Sequence, residues 1–409
     1  MPHAETARKT AKALSWVYGG YIIEKLATLG STLVLARLIA PHDFGIIATA
    51  TLLIGFLTIV RDLGFTDALI YLDDDNNEAA DACFWVNTAL GTLLMIALVL
   101  LAPLLTRYTA AAPHLTQVLQ LMALALPFSS MSVTHAALLQ KQLKFGPRSI
   151  VDAATAVAKM ATAIGLAAIG WGVWSIVAAF VLSAVFRCIG LYIALPWRPR
   201  LKFSSRHALD LFRFGKHLVL NGLVGEIQGR LDQLVLLNFF GSLVLGYYFI
   251  AAKLPELMFH HFGLVITRVL YPVFARLGGN RESVAAYTLQ STRYLAYILF
   301  PLAIGLVSVA EPAVLVMFGY QWLPSVPFLI TASLCSLAAM AMWTVGDGVK
   351  AIGRPDLLLG LTVLDTITVG VSTIAAAKIY GTPIAACWGM FGALVVTSHF
   401  RAILAKFYL

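Results

Sequence analysis

Apolar stretches, each close to the length that crosses about 30 Å of hydrocarbon as a helix, alternate along this chain with short polar connectors. The pattern predicts six spans in the first half, Leu14–Leu38, Phe44–Leu69, Ala82–Thr106, Leu115–Leu138, Ile150–Gly170 and Val173–Leu195. Six more follow, Phe214–Phe240, Leu243–Leu270, Tyr294–Val309 (reaching back toward Ser291), Pro324–Val345, Leu357–Ala377 and Pro383–Ala405. Strands are excluded because the stretches lack alternating polarity and outrun a barrel strand. The first two spans are joined only by Ile39-Ala40-Pro41-His42-Asp43, a tight hairpin in which Asp43 is placed to cap the second helix. The expected fold is therefore an all-α integral membrane bundle of about twelve helices.

Halves of equal span number meet at a basic link, which suggests two six-helix lobes, 1–195 and 213–409, around a cytoplasmic linker at 196–212. A faint repeat at an offset of 201 residues supports this: Leu33-Val34-Leu35 matches Leu234-Val235-Leu236, Gly45 matches Gly246 and Ala50 matches Ala251. Copies running in the same membrane direction make a parallel repeat, one recognised transporter arrangement.

Composition agrees with the pattern. Sixty per cent of the residues are hydrophobic and only 12% are charged, which leaves no room for a sizeable soluble domain. The net charge of +9 lies in short inter-helical clusters, so it sets topology and argues against nucleic acid as a partner. Arg8, Lys9, Lys141, Lys144, Arg198, Arg200, Arg206 and Lys350 all fall on one side, against Arg37, Arg107 and Lys378 on the other. Both termini are thereby expected in the cytoplasm. The acidic run Asp73-Asp74-Asp75, Glu78 and Asp81 falls on the same inner side and reads as a solvated connector. Met1–Lys12 reads as a polar leader with no cleavage pattern. Cys83, Cys188, Cys335 and Cys387 stand singly and read as small hydrophobes.

Several spans carry charges at depth, where they are costly unless they face water or protein. Glu24 and Lys25 fall mid-way along the first span, Arg61 and Asp62 in the second, Glu226, Arg230 and Asp232 in the seventh, and Lys253 and Glu256 in the eighth. Counting from the nearby turn puts Lys253 and Glu256 about 15–20 Å inward. Glu226 and Arg230 are i,i+4 neighbours, and Lys253, Glu256 and His260 approximate one face. One reading is a set of ion pairs tying helices together. The other is a polar cavity lined by spans one, two, seven and eight, in which Lys25, Arg230 and Lys253 hold an anion while Glu24, Glu226 and Glu256 balance it. Arg61 and Arg268 would first attract a diphosphate at the inner vestibule, because a guanidinium fork donates two hydrogen bonds to phosphate oxygens. Asp152, Lys159, Arg187 and Arg293 are ambiguous between this role and lipid headgroups. Glycines such as Gly222, Gly225 and Gly229, with Pro255 and Pro301, suit a bundle whose helices bend.

Enzyme signatures are missing: no G-x-S-x-G, H-E-x-x-H, Walker lysine loop or dinucleotide fingerprint occurs. His260-His261 are adjacent and point apart on a helix, so no metal and no cofactor is expected.

Leu35-Ala36-Arg37-Leu38-Ile39-Ala40-Pro41-His42-Asp43-Phe44-Gly45 resembles the A-R-L-x-x-P-x-D/E-F-G segment of bacterial polysaccharide transporters in the MOP exporter superfamily. Asp62-Leu63-Gly64-Phe65-Thr66-Asp67-Ala68-Leu69-Ile70 is similar to their D-x-G-x-x-x-A-L-I segment, and Gln140-Lys141-Gln142-Leu143-Lys144-Phe145 to their Q-x-x-x-K/R-F connector. The resemblance implies a V-shaped, MATE-like bundle that works by alternating access in a bacterial inner membrane. It implies a polyprenyl-diphosphate-linked oligosaccharide or polysaccharide as cargo, for exopolysaccharide, capsule or lipopolysaccharide synthesis. Membrane lipids, a polysaccharide polymerase, a chain-length regulator and export machinery are the implied partners. A drug or small-metabolite antiporter of the same superfamily and a membrane-bound polysaccharide ligase or polymerase are the alternatives.

Overall fold

A computed structural model describes the backbone of residues 2–62, 64–71, 78–108, 114–201, 204–260, 281–351 and 355–408. The described residues are helical apart from short turns, one extended stretch and the caps between helices. By contacts the chain divides into two compact units, Met1–Glu226 and Ile227–Leu409, with the boundary inside a long helix.

The first unit opens with α1 (Pro2–Leu38) and α2 (Pro41–Asp62). Helix α1 starts well before the first apolar span, so the polar leader is itself helical rather than loose. Pro41 is the first residue of α2, a position where its missing N–H costs nothing. Asp43 therefore sits inside the first turn rather than at the cap, where its charge favours the positive end of the helix. The second span does not run through to Leu69. It stops at Asp62, and Gly64 turns with a positive φ of 69° before the short helix α3 (Phe65–Tyr71) begins. The apolar pattern alone reads straight across that break.

Helices α4 (Glu78–Tyr108), α5 (Leu115–Ala123), α6 (Ala125–Lys141), α7 (Phe145–Ala168) and α8 (Val173–Ala194) complete the first unit, with the start of the next helix. Helix α6 packs on α4, α8 and α3, and α1 packs on α7. Two apolar clusters fill the unit. One joins Ile46, Ile54, Leu119, Met122 and Val177, and the other joins Phe65, Leu69, Cys83, Leu139 and Leu191. Glycines set the closest crossings: a Cβ on Gly91 of α4 would collide with Ser130 Oγ of α6, and one on Gly20 of α1 would lie 2.9 Å from Ser149 Cβ. The turn from α6 to α7 places Leu143 at φ 55°, a left-handed conformation that β-carbons resist.

Helix α9 (Ser205–Ala251) is two helices joined at Gly241, whose φ of 83° and ψ of 179° leave the helical region. That break separates the seventh and eighth spans where the sequence put it. The eighth continues through a helical turn, Lys253–Pro255, into a π-helical turn, Glu256–His260. Beyond the described gap come α10 (Arg281–Ser308), α11 (Ala310–Met317), a 3-10 turn (Tyr320–Ser325), α12 (Val326–Ala351), α13 (Pro355–Tyr380) and α14 (Pro383–Tyr408). Helix α10 begins 13 residues before Tyr294, because a polar helical extension adds nothing to an apolar count. Cys335, Val369, Ala393 and Leu394 form the core of α12, α13 and α14, with Leu231 of α9 packed against them.

Ten helical stretches among the described residues are long and apolar enough to cross a membrane. One of them, Gly222–Phe259, contains the Gly241 break. With that stretch counted as two and α1 as the first span, the arrangement is consistent with the expected twelve. The extended stretch after α8 is fastened to the first unit. Asp81 Oδ1 accepts from the Arg200 backbone N–H at 3.0 Å, and Trp85 Nε1 donates to the Arg200 carbonyl at 2.8 Å.

Candidate functional site

The sequence-predicted charges are distributed over both units. On the first unit, Glu24 and Lys25 are half-buried on α1, and Lys25 Nζ lies 5.3 Å from the Tyr21 ring centroid. Thr28 Oγ1 returns a hydrogen bond to the Glu24 carbonyl at 2.8 Å, so the hydroxyl beside this charged turn is satisfied by its own helix.

Arg61 is the most enclosed of the described candidates, 8% exposed near the end of α2. Its Nη1 donates to Ser129 Oγ of α6 at 2.6 Å, while its Nε has no hydrogen-bond partner among the described residues. An unfilled charged donor at that burial is costly in a protein interior, and it marks a place where a further acceptor fits. Asp62, next in sequence, accepts a hydrogen bond from Thr66 Oγ1 across the Gly64 turn.

Glu226 and Arg230 are half-buried on successive turns of α9. On the second unit, Lys253 and Glu256 are brought together as their i,i+3 spacing predicts, with Nζ 3.0 Å from Oε2. Lys253 Nζ also sits 4.6 Å from the Phe249 ring centroid. The pair stands where Pro255 interrupts the helix ladder and the backbone widens into the π-helical turn, a distortion that proteins retain mostly at functional positions. Glu256 is exposed, so this cation–carboxylate pair is open to exchange with a ligand. Arg268, the last candidate, lies outside the described residues, as do Asp73, Asp74 and Asp75 of the acidic run.

Three polar sets were not resolved by sequence. Asp365 of α13 and Arg401 of α14 form an ion pair almost wholly removed from solvent. Tyr248 donates a hydrogen bond to Asp232 within the second unit. Arg187 of α8 pairs with Asp152 of α7 at 2.9 Å. Each joins side chains from different helices or from distant turns, so no local spacing signals it. Only the charge at depth could have flagged them. Among the described residues no cluster of three or more histidine, cysteine or carboxylate side chains could hold a metal ion.

The family described as polysaccharide biosynthesis protein matches residues 34–327 of the chain. The succinoglycan biosynthesis transport protein ExoT of Rhizobium meliloti (strain 1021) is 27% identical over 358 residues, covering 86% of this chain and 72% of that protein. The teichuronic acid biosynthesis protein TuaB of Bacillus subtilis (strain 168) is 29% identical over 343 residues, covering 80% and 69%. Among solved structures, lipid II flippase MurJ in an inward closed conformation matches with a TM-score of 0.78 at 13% identity, over 95% of this chain and 87% of that one. An inward-facing MATE family multidrug resistance transporter of the MOP superfamily matches with a TM-score of 0.73 at 15% identity, over 94% of each. These two likenesses establish the fold, which is the all-α, MOP-type arrangement that the sequence motifs imply.

Proposed function

The chain belongs to the polysaccharide biosynthesis protein family, and on that footing we propose that it carries a polyprenyl-diphosphate-linked oligosaccharide or polysaccharide across the bacterial inner membrane by alternating access. The observation that carries this reading is Arg61, a buried guanidinium inside a membrane helix with a donor unfilled among the described residues. Such a group suits a phosphate oxygen and serves no purpose against lipid tails. Each unit by itself carries further cations able to hold an anionic head, Lys25 on the first and Arg230, Lys253 and Arg268 on the second, with Glu24, Glu226 and Glu256 as counter-charges. The sugar hydroxyls need a polar route, since burying one in hydrocarbon without a partner costs several kcal/mol, roughly 4–8 on the least forgiving scale. The succinoglycan relative is named as a transport protein, which supports movement of a glycan precursor rather than its chemical transfer.

The lysine and arginine distribution supports cytoplasmic termini. A polymerase, a chain-length regulator and export machinery fit as partners, since a translocated repeat must be polymerised and delivered. The experiment is translocation of a defined polyprenyl-diphosphate oligosaccharide by proteoliposomes that contain only this protein. Transfer above empty liposomes is expected. Its failure with folded protein and tested ion gradients, alongside efflux of small amphiphilic cations, moves the reading to an antiporter.

A further inference from the structure

One face of α6 carries a row of polar side chains that the candidate set left out. Ser129, Ser132 and Gln140 fall within an arc of about 80° when the helix is viewed end-on, spread over about 16 Å of its axis. Each accepts a hydrogen bond from an arginine of a different helix. Arg61 Nη1 of α2 donates to Ser129 Oγ at 2.6 Å, and Arg187 Nη1 of α8 donates to Ser132 Oγ at 3.3 Å. Arg148 Nη1 of α7 donates to Gln140 Oε1. The three guanidiniums therefore step along α6 from near its C-terminal end, past its middle, into its N-terminal third.

Asp152 of α7 holds the outer two. Its Oδ1 lies 2.9 Å from Arg187 Nε, and its Oδ2 lies 3.7 Å from Arg148 Nε. The three side chains are 28–32% exposed, so an anion from outside can reach them. Behind them Arg61 is buried, with its Nε unfilled among the described residues. Asp152 is thus the counter-charge of two of the three cations, and Asp62, next to Arg61 in sequence, already accepts from Thr66. A single carboxylate bridging two guanidiniums has the charge and spacing of a phosphate held by two forks.

We propose that this row is a phosphate relay, in which the phosphate or diphosphate head of a lipid displaces Asp152 from Arg148 and Arg187 and then meets Arg61. Asp152 is a positioning residue: it keeps the two guanidiniums ordered and their charge masked until the head arrives. The relay rests on the proposed lipid-diphosphate cargo, and it adds Arg148, Asp152 and Arg187 to that site. A row that merely clamps α6, α7 and α8 together would gain nothing from losing the Asp152 charge.

The test is binding of geranylgeranyl diphosphate to the full chain in phosphatidylcholine nanodiscs, with thermal stability measured in parallel. Asp152→Asn keeps the shape and removes the competing charge, so affinity rises severalfold and dissociation slows. Arg148→Gln and Arg187→Gln each lose a charge-assisted bond, so affinity falls roughly tenfold or more. Should Arg187→Gln fail to fold, Arg187→Lys retains the charge without the fork and binds at an intermediate level. Affinity that Asp152→Asn leaves unchanged or weakens in a protein of wild-type stability overturns the relay. Wild-type binding by Arg187→Lys overturns it as well. Equal competition from phosphatidylglycerol in the nanodisc assigns the row to bulk headgroups and overturns its role toward cargo. The two readings fail separately. Asp152-sensitive binding without oligosaccharide transfer removes the transport reading alone, and transfer indifferent to all three substitutions removes the relay alone.

Discussion

Substituting Asp365 by alanine is expected to destabilise the protein through one identifiable interaction. Asp365 and Arg401 form an ion pair between α13 and α14 with side chains 1% and 6% exposed, and Arg401 Nε has no hydrogen-bond partner among the described residues. Removing the carboxylate leaves a buried guanidinium without its counter-charge, a change that costs about 3–5 kcal/mol. For a chain of this length unfolding as one unit, that corresponds to a fall in midpoint on the order of 5 °C. The reporter is built in, because Cys83, Cys188, Cys335 and Cys387 are all buried free thiols. A thiol-reactive dye in detergent-solubilised protein reads their exposure as the helices separate. Replacing both partners, Asp365→Leu with Arg401→Met, removes the isolated charge and is expected to recover most of the loss, since apolar replacements of buried pairs are often neutral or stabilising. A single variant within about 0.5 kcal/mol of wild type, or a double variant as unstable as the two singles combined, refutes the reasoning.

Gly389→Ala should cost about 1–3 kcal/mol, because the new methyl would sit 2.8 Å from the Ser372 carbonyl oxygen and 2.7 Å from Ala376 Cβ. Gly392→Ala, which meets nothing within 4 Å, is the control and should be neutral or slightly stabilising in the same thermal assay. Leu143→Gly should stabilise by about 0.5–1 kcal/mol, since the residue is exposed and held at φ 55°; a lower midpoint would show that its side chain is needed. Trp85→Phe removes the 2.8 Å bond to the Arg200 carbonyl, so trypsin should cut after Arg200 faster than in wild type. Lys253→Ala should weaken uptake at limiting cargo, and unchanged uptake would take Lys253 out of the site.

The spans were legible because a membrane helix announces itself by length and apolarity, and the Gly241 break by a glycine between two such lengths. The Gly64 turn was not, because the apolar residues of α3 continue the hydrophobic run of α2 while the backbone changes direction. Lys253 and Glu256 could be paired from the sequence since three residues separate them on one helix. Asp152 and Arg187 stand 35 residues apart, and Asp365 and Arg401 stand 36 apart. Each of these reads in the sequence as a lone charge of uncertain use, because only helix packing supplies its partner. The fastening of Arg200 to Asp81 spans 119 positions and lies beyond any pattern argument.

Burial of both partners separates the described ion pairs into those that fasten helices and those able to exchange partners. A phosphate cannot reach Asp365 or Arg401 without first parting α13 from α14, so that pair contributes to the fold and to nothing that passes by. Asp152 with Arg187, and Lys253 with Glu256, keep between about a quarter and a half of their side-chain surface open. Pairs left open in this way are weaker fasteners than an enclosed one, and the same openness lets an incoming anion replace a carboxylate. Neutralising an acid in the two classes must then have opposite signatures. Loss of the Asp365 charge lowers stability, whereas Asp152→Asn holds stability and strengthens anion binding. If both neutralisations lowered the midpoint by similar amounts and neither altered diphosphate affinity, exposure would not distinguish the two kinds of pair, and the charged row on α6 would be structural.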